Sequence, residues 1–222
     1  MTTCLVPLKD LRYAKRRLAP VLGPGERRQI CLAMLFDVVA GLKQVPSLGD
    51  IRVLTSDTGV EAALRVRHAD VAAMRDPAAG TLNGALTHAI GILEREGVSR
   101  VLIVPADLPL VEPGDIGEVL ATGRGIAMAI AHDKTGEGTN LLLLRPPSVV
   151  ELRFGPRSFA RHVHQARRKG IGYRVFSNPS LLWDLDGPQD VPAFLSRGPQ
   201  TETGRELLRL GIRERIACRP LR

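Results

Sequence analysis

Short apolar runs alternate with longer stretches of helical period along most of this chain, and that alternation limits the fold more than any other feature. Runs at 5–8, 51–54, 71–74, 101–104, 126–131, 141–144 and 173–176 read as strands, with Val71–Met74 the weakest. Between them, the segment opened by Gly23-Pro24-Gly25-Glu26 places Ile30, Met34, Leu35, Val38, Val39 and Leu42 on one stripe. A short helix is expected after Thr55-Ser56-Asp57. Asn83–Glu96 spaces Leu86, Ile90 and Leu93 for burial, Ser158–Lys169 reads as a helix with a basic face, and a last short helix follows Pro188. Val101-Leu102-Ile103-Val104 is apolar on both alternating sides, as in a strand covered from above and below. Repeated β-α-β units predict an α/β fold: a mostly parallel, doubly wound, Rossmann-like sheet with helices on both faces.

A chain of 222 residues carries such a sheet as one domain and buries roughly 70% of its unfolded surface without staples. The polar stretch Ser196–Gln200 marks a boundary, dividing a domain at 1–197 from an Arg-rich tail at 198–222. In the tail, Leu207, Leu208, Leu210, Ile212 and Ile216 recur among arginines, which predicts one amphipathic helix over Thr201–Arg222, docked on its own domain or on a partner subunit.

The net charge of +8 points to an anionic partner, and its distribution says which kind. Residues 1–28 carry +5, residues 29–150 carry −4 and residues 151–222 carry +7. Two cationic ends around an acidic centre suit a phosphorylated small molecule better than a polynucleotide. Aromatic residues are only 4%, and no helix-turn-helix or RNA-binding signature is present, so nucleic acid is not the expected partner. Cys4, Cys31 and Cys218 have no C-x-x-C spacing, which leaves reduced thiols and excludes a zinc site. No apolar run approaches the ~18 residues of a membrane span, and Met1–Lys9 lacks the pattern of a secretory leader. A cytoplasmic protein without a membrane partner is expected.

Four segments carry chemistry. The first, VPLKDLRYAKRRL at 6–18, follows the first strand, where open α/β sheets bind ligands; Lys9, Lys15 and Arg17 place cations where a triphosphate would lie. No G-x-x-x-x-G-K-[ST] is present. The second, VPADLPL at 104–110, puts Asp107 at the exit of the most apolar strand, as a magnesium ligand or as a helix cap. The third, WDLDGPQD at 183–190, sets Asp184 and Asp186 two residues apart, hence on one side of an extended segment. Together with Asp107 they can complete a metal site, and by spacing Asp186 is the better cap for the following helix. The fourth pairs Gly138-Thr139-Asn140 with FGPRSF at 154–159, a helix start whose free N–H groups and Ser158 hydroxyl suit a carboxylate or phosphate. His162 and His164 lie two apart on the basic helix, and solvated or partly packed roles are expected for both.

These segments in this order, with TLNGAL at 81–86 and GTNLLLLRPP at 138–147, resemble the phosphoenolpyruvate / 2-phospho-L-lactate guanylyltransferases of coenzyme F-420 biosynthesis over about residues 4–195, without the Arg-rich tail. The resemblance implies a GT-A-type nucleotidyltransferase domain. It would join GMP from GTP to a phosphorylated three-carbon acid, release pyrophosphate, and hand its product to a deazaflavin transferase. It implies magnesium at Asp107 with Asp184 or Asp186, the triphosphate on Lys9, Lys15 and Arg17, and guanosine near Leu82 and Asn83. Thr139, Gly155 and Ser158 would hold the acid, and Asp107 and Lys15 would be the catalytic pair. The family's usual Asp-Thr-Pro-Glu-Asp ending is Asp186-Gly187-Pro188-Gln189-Asp190 here, so the last helix is expected to be capped differently. The acid (phosphoenolpyruvate, 2-phospho-L-lactate or 3-phospho-D-glycerate) and assembly as a homodimer stay open. Another nucleotidyltransferase of the same fold, using CTP or a different acceptor, is the near alternative; a non-catalytic basic nucleic-acid-binding protein is the distant one.

Overall fold

Successive side chains of a strand point to opposite faces, and here both faces are apolar. Cys4 and Val6, Leu102 and Val104, Ala129 and Ala131, and Leu141 and Leu143 enter one core layer. Leu5, Val101 and Ile103, Met128 and Ile130, and Leu142 and Leu144 enter the other. A sheet with two apolar faces must be covered twice. In the computed structural model, which describes residues 1–8, 10–75 and 80–218, it is.

The strands are β1 (Thr2–Pro7), β2 (Leu48–Thr55), β3 (Ala72–Arg75), β4 (Val101–Ile103), β5 (Met128–His132), β6 (Thr139–Leu144) and β7 (Tyr173–Phe176), in the order β3-β2-β1-β4-β6-β5-β7. All neighbours are parallel except that β6 runs against both β4 and β5. The short turn at 133–138 dictates this, because a connection of that length joins only antiparallel strands. Asp133 Oδ1 closes the turn by accepting from the N–H groups of Thr135 and Glu137, both at 3.0 Å.

The first layer is covered by α1 (Pro24–Lys43), α2 (Thr58–Arg67), α4 (Pro113–Leu120) and α7 (Val191–Arg197), the second by α3 (Leu82–Arg95) and α5 (Ser158–Arg168). One short helix, α6 (Pro179–Leu182), follows β7. The doubly wound, mostly parallel sheet expected from the alternation is present. Strand ends differ in detail: β1 begins at Thr2, because Thr2 and Thr3 are buried along with the apolar residues that follow.

The tail is helical but not one helix. It forms α8 (Glu202–Arg209) and α9 (Ile212–Ala217), separated at Gly211, whose φ of +62° turns the chain. It packs on its own domain. Asp37 of α1 accepts from the N–H groups of Glu202 and Thr203, both at 2.8 Å, and from the Thr203 hydroxyl at 2.7 Å. Leu207, Leu210 and Ile212 join the layer that covers α1, each contributing on the order of 1.5–3 kcal/mol of burial. Among the described residues, no helix is long and apolar enough to cross a membrane.

Candidate active site

Parallel strands β1 and β4 lie side by side and release the chain at the same edge of the sheet, where an open α/β sheet leaves a crevice. A cleft of about 390 Å³ opens there, with Leu8, Lys15, Arg17, Leu82, Asp107, Phe154 and Asp186 in its wall. The loop after β1 is tied down at its base. Leu8 N–H donates to Leu54 O at 2.9 Å, and Leu11 N–H donates to Asp57 Oδ2 at 3.2 Å. Asp57 also caps α2 through Gly59 N–H at 2.9 Å and accepts from Arg28 Nη1 at 2.9 Å. The Arg28 guanidinium holds the Asp57 carboxyl below its usual range. Asp57 and Arg28 are supports that the sequence did not single out. The Asp at the second strand's exit was readable as a cap, but no spacing links it to Arg28.

Lys15 crosses the mouth of the cleft. Its backbone sits in the left-handed region at φ +48°, which costs a non-glycine residue roughly 1 kcal/mol. Its ammonium lies 2.8 Å from Asp107 Oδ2 and 2.6 Å from Asp186 Oδ1, while Arg17 Nη1 lies 3.4 Å from Asp186 Oδ2. Burial pulls the ammonium toward neutrality, but Asp107 and Asp186 outweigh it and raise the pKa above the ordinary lysine value. Burial likewise pushes Asp186 up, and Lys15 and Arg17 outweigh it to hold that carboxyl low.

A backbone bond from Leu185 N–H to Asp107 O, at 3.1 Å, clips the 184–186 segment beside Asp107. Its two carboxylates nevertheless serve different partners. Asp186 faces Lys15; Asp184 turns toward Lys134, with Nζ to Oδ1 at 3.6 Å. Asp184 Oδ1 is buried without a hydrogen bond, and burial together with the Asp186 charge pushes its carboxyl up to about 6. The helix cap expected at Asp186 is instead supplied by Asp190. Its Oδ2 accepts from Asp186 N–H at 2.9 Å and Gly187 N–H at 2.8 Å, while its Oδ1 takes Lys134 Nζ at 2.6 Å. A carboxylate three or four residues on reaches back over the turn, which leaves Asp186 turned to the cleft.

Among the described residues, no three His, Cys, Asp or Glu side chains converge as a complete metal cage. Asp107 and Asp186 do converge, on one ammonium. Magnesium binds through one or two carboxylates and completes its shell with phosphate and water, so this pair fits its donor chemistry, whereas Asp184 faces Lys134.

Thr139, Gly155 and Ser158, expected at the acid end, are not in the wall of this cleft, which Phe154, next to Gly155, does reach. Gly155 has φ +115°, open only to glycine, and Arg157 has φ +57°, so the chain swings sharply before α5 starts at the buried Ser158. Two N–H groups expected to be free at this helix start are already taken: Ser158 N–H by Gly155 O at 3.1 Å and Phe159 N–H by Glu137 O at 3.0 Å. Side-chain hydroxyls are therefore the donors in question, from Ser158 and from Thr139 on β6. Leu82 reaches the cleft, whereas the Asn83 amide is spent on the backbone of Phe154, donating to its O at 3.0 Å and accepting from its N–H at 2.8 Å. Lys9 lies outside the described residues.

His162 is fully buried, beyond the solvated or partly packed role expected of it, because the helical spacing that places it one turn after Ser158 also turns it inward. Its Nδ1 lies 3.2 Å from Thr139 Oγ1, and its Nε2 accepts from Arg153 N–H at 3.0 Å. His164 is exposed, as expected. Burial lowers the His162 pKa to about 4 from 6.5, so the unfolded chain takes up this proton first as pH falls. Stability is then lost between pH 6.5 and 4, by about 3 kcal/mol from this group. Urea unfolding at pH 7 and pH 4.5 checks this: the drop should be smaller in His162→Gln than in the parent, and an equal drop would contradict it. The Cys31 thiol, at the cleft wall, is pushed up to about 11 by burial and is no nucleophile near neutrality.

The family model described as "Guanylyl transferase CofC like" matches residues 2–217. The match reaches beyond residue 195 and through α9, so residues 198–217 of the tail lie within it. The phosphoenolpyruvate guanylyltransferase of Rubrobacter xylanophilus is 39% identical over 195 residues, covering 87% of this chain and 93% of that one. The 2-phospho-L-lactate guanylyltransferase of Methanothermobacter thermautotrophicus is 34% identical over 215 residues, covering 94% and 91%. A nucleotidyl transferase structure from the latter organism superposes with a TM-score of 0.65 at 16% identity, covering 87% of this chain and 95% of that one, a likeness of fold.

Proposed function

Because the chain belongs to the CofC-like family of guanylyl transferases, we propose that it transfers GMP from GTP to the phosphate of a phosphorylated three-carbon acid and releases pyrophosphate. The observation that carries this reading is the convergence of Lys15, Asp107 and Asp186 at the mouth of the cleft. A phosphate oxygen of the acid attacks the α-phosphorus of GTP in line. The bond from that phosphorus to the β-phosphate bridging oxygen breaks, and pyrophosphate leaves with the electron pair. The attacking phosphate is already an anion at neutral pH, so no side chain need remove a proton.

Each group then has a place. Asp107 and Asp186 would hold magnesium, which when bound supplies charge neutralisation between the phosphates. Lys15, released from the carboxylates, turns its ammonium to the triphosphate, and Arg17 meets it at the rim. Leu82 packs against the nucleoside, and Asn83 holds the Phe154 backbone beneath it. Thr139, Ser158 and the backbone at Gly155 receive the acid. Positioning and electrostatics do the catalytic work, without a covalent intermediate. The product would pass to a deazaflavin transferase in the cytoplasm, as a step toward coenzyme F-420.

Pyrophosphate release tests the reading. Phosphoenolpyruvate, 2-phospho-L-lactate and 3-phospho-D-glycerate are offered in turn with GTP or CTP. Release is expected with GTP and at least one acid, and faster turnover of CTP would move the chain to another nucleotidyltransferase class. Ser158→Ala is expected to raise the KM for the acid by about tenfold, the loss of one hydrogen bond to an anion, with the KM for GTP little changed. An equal effect on both substrates would remove Ser158 from the acid end.

A further inference from the structure

His162 is the one buried histidine among the described residues, and its two ring nitrogens have partners that fix its proton. Nε2 faces the backbone N–H of Arg153, a group that only donates, so Nε2 is the accepting nitrogen. A neutral imidazole then carries its hydrogen on Nδ1, which donates to Thr139 Oγ1. The burial that keeps this ring neutral leaves one tautomer. Thr139 Oγ1 thus accepts from His162, and its own hydrogen must point elsewhere. Among the described residues no other side chain bonds to that oxygen. Thr139 is itself buried, and a buried hydroxyl hydrogen seeks an acceptor.

We propose that His162 is a positioning residue for the acceptor acid, fixing the Thr139 hydroxyl as a donor aimed at an anionic oxygen of that acid. The inference rests on the reading of Thr139 as part of the acid end. A second contact acts in the same direction. His162 holds Arg153 N–H while Asn83 holds both backbone groups of Phe154, so the residues leading into Gly155 are pinned from α5 on one side and α3 on the other. One imidazole therefore orients a hydroxyl and also steadies the turn opposite it.

The test titrates GTP and phosphoenolpyruvate separately in Thr139→Ala, His162→Leu and His162→Gln enzymes. The Gln carboxamide has an oxygen to accept from Arg153 and an NH₂ to donate to Thr139, spaced much as in the ring. Thr139→Ala and His162→Leu are each expected to raise the KM for phosphoenolpyruvate by about tenfold, with the KM for GTP changed by less than about twofold. His162→Gln is expected to recover most of the loss. If His162→Leu does not fold, His162→Met takes its place. An apolar variant with unchanged phosphoenolpyruvate KM, beside a Thr139→Ala enzyme in which it rises, overturns the role of His162 and leaves the acid end standing. Equal rises for both substrates without rescue by Gln also overturn it, as a structural effect only. An unchanged Thr139→Ala enzyme overturns the placement of the acid end itself.

Discussion

Asp107→Asn is expected to lower kcat by about a thousandfold, roughly 4 kcal/mol of transition-state stabilisation, in a protein that still folds. The substitution keeps the shape and removes the charge. The Asp107 carbonyl still accepts from Leu185 N–H, so the 184–186 segment stays clipped in place. Lys15 keeps its 2.6 Å contact with Asp186 and loses only the charge of its second partner. That partner is about a third exposed, and the pair is accordingly screened. Melting should therefore move by only a few degrees, the shift about 1 kcal/mol produces in a chain of this size. Turnover, by contrast, loses one of the two carboxylates that would hold magnesium. Parental kcat in the Asn enzyme, measured by pyrophosphate release, would remove Asp107 from the reacting centre.

Lys15→Met should be as damaging to turnover and more damaging to the fold. Methionine keeps the length and apolar stem of the side chain and deletes the ammonium. In the resting protein the Lys15 side chain is 10% exposed, and its ammonium neutralises Asp107 and Asp186 together. Removing one member of a buried ion pair costs about 3–5 kcal/mol, and the partial exposure of both carboxylates places this case at or below the lower end. With the ammonium placed on the triphosphate as proposed, its removal is expected to lower kcat/KM by about a thousandfold. Lys15→Arg is not expected to restore it, because a planar fork does not fit between two carboxylates spaced for a single nitrogen. Denaturant melts and steady-state kinetics check both halves. A Lys15→Met enzyme with parental kcat/KM would exclude Lys15 from the phosphate path.

Much of this site was readable in the sequence for a simple reason. Lys15 and Asp107 follow strands whose apolar runs are short and unambiguous, and a parallel sheet brings the exits of such strands to one edge. What escaped depends on partners distant in sequence. Asp184 and Asp186 share one side of an extended segment by spacing alone. Only Lys134 and Asp190 decide that one faces inward to a lysine and the other outward to the cleft. His162 looked like part of a basic face until Thr139 and the Arg153 backbone enclosed it.

The fold shows the same division. The insertion of β6 between β4 and β5 is a long-range pairing with no local mark. Helix α4 was hidden by Pro113, Gly114 and Gly117, residues that interrupt a helical pattern even though Ile116, Val119 and Leu120 bury one face. The apolar spacing of the tail ran straight through Gly211, and only its backbone conformation breaks the helix. The charge of the two ends, which suggested an anionic ligand, is partly structural. Arg28 serves Asp57, Arg215 binds Glu26 of α1, and Arg209 binds Glu206. Lys15 and Arg17, from the N-terminal excess, pair with the cleft carboxylates Asp107 and Asp186.

Phosphorus NMR of the completed reaction tests guanylyl transfer most directly. With GTP, magnesium and phosphoenolpyruvate or 2-phospho-L-lactate, the account predicts a coupled pair of resonances from a new P–O–P linkage between GMP and the acid, together with one equivalent of pyrophosphate. Their absence with every acid, or GDP and orthophosphate as the only products, would contradict it.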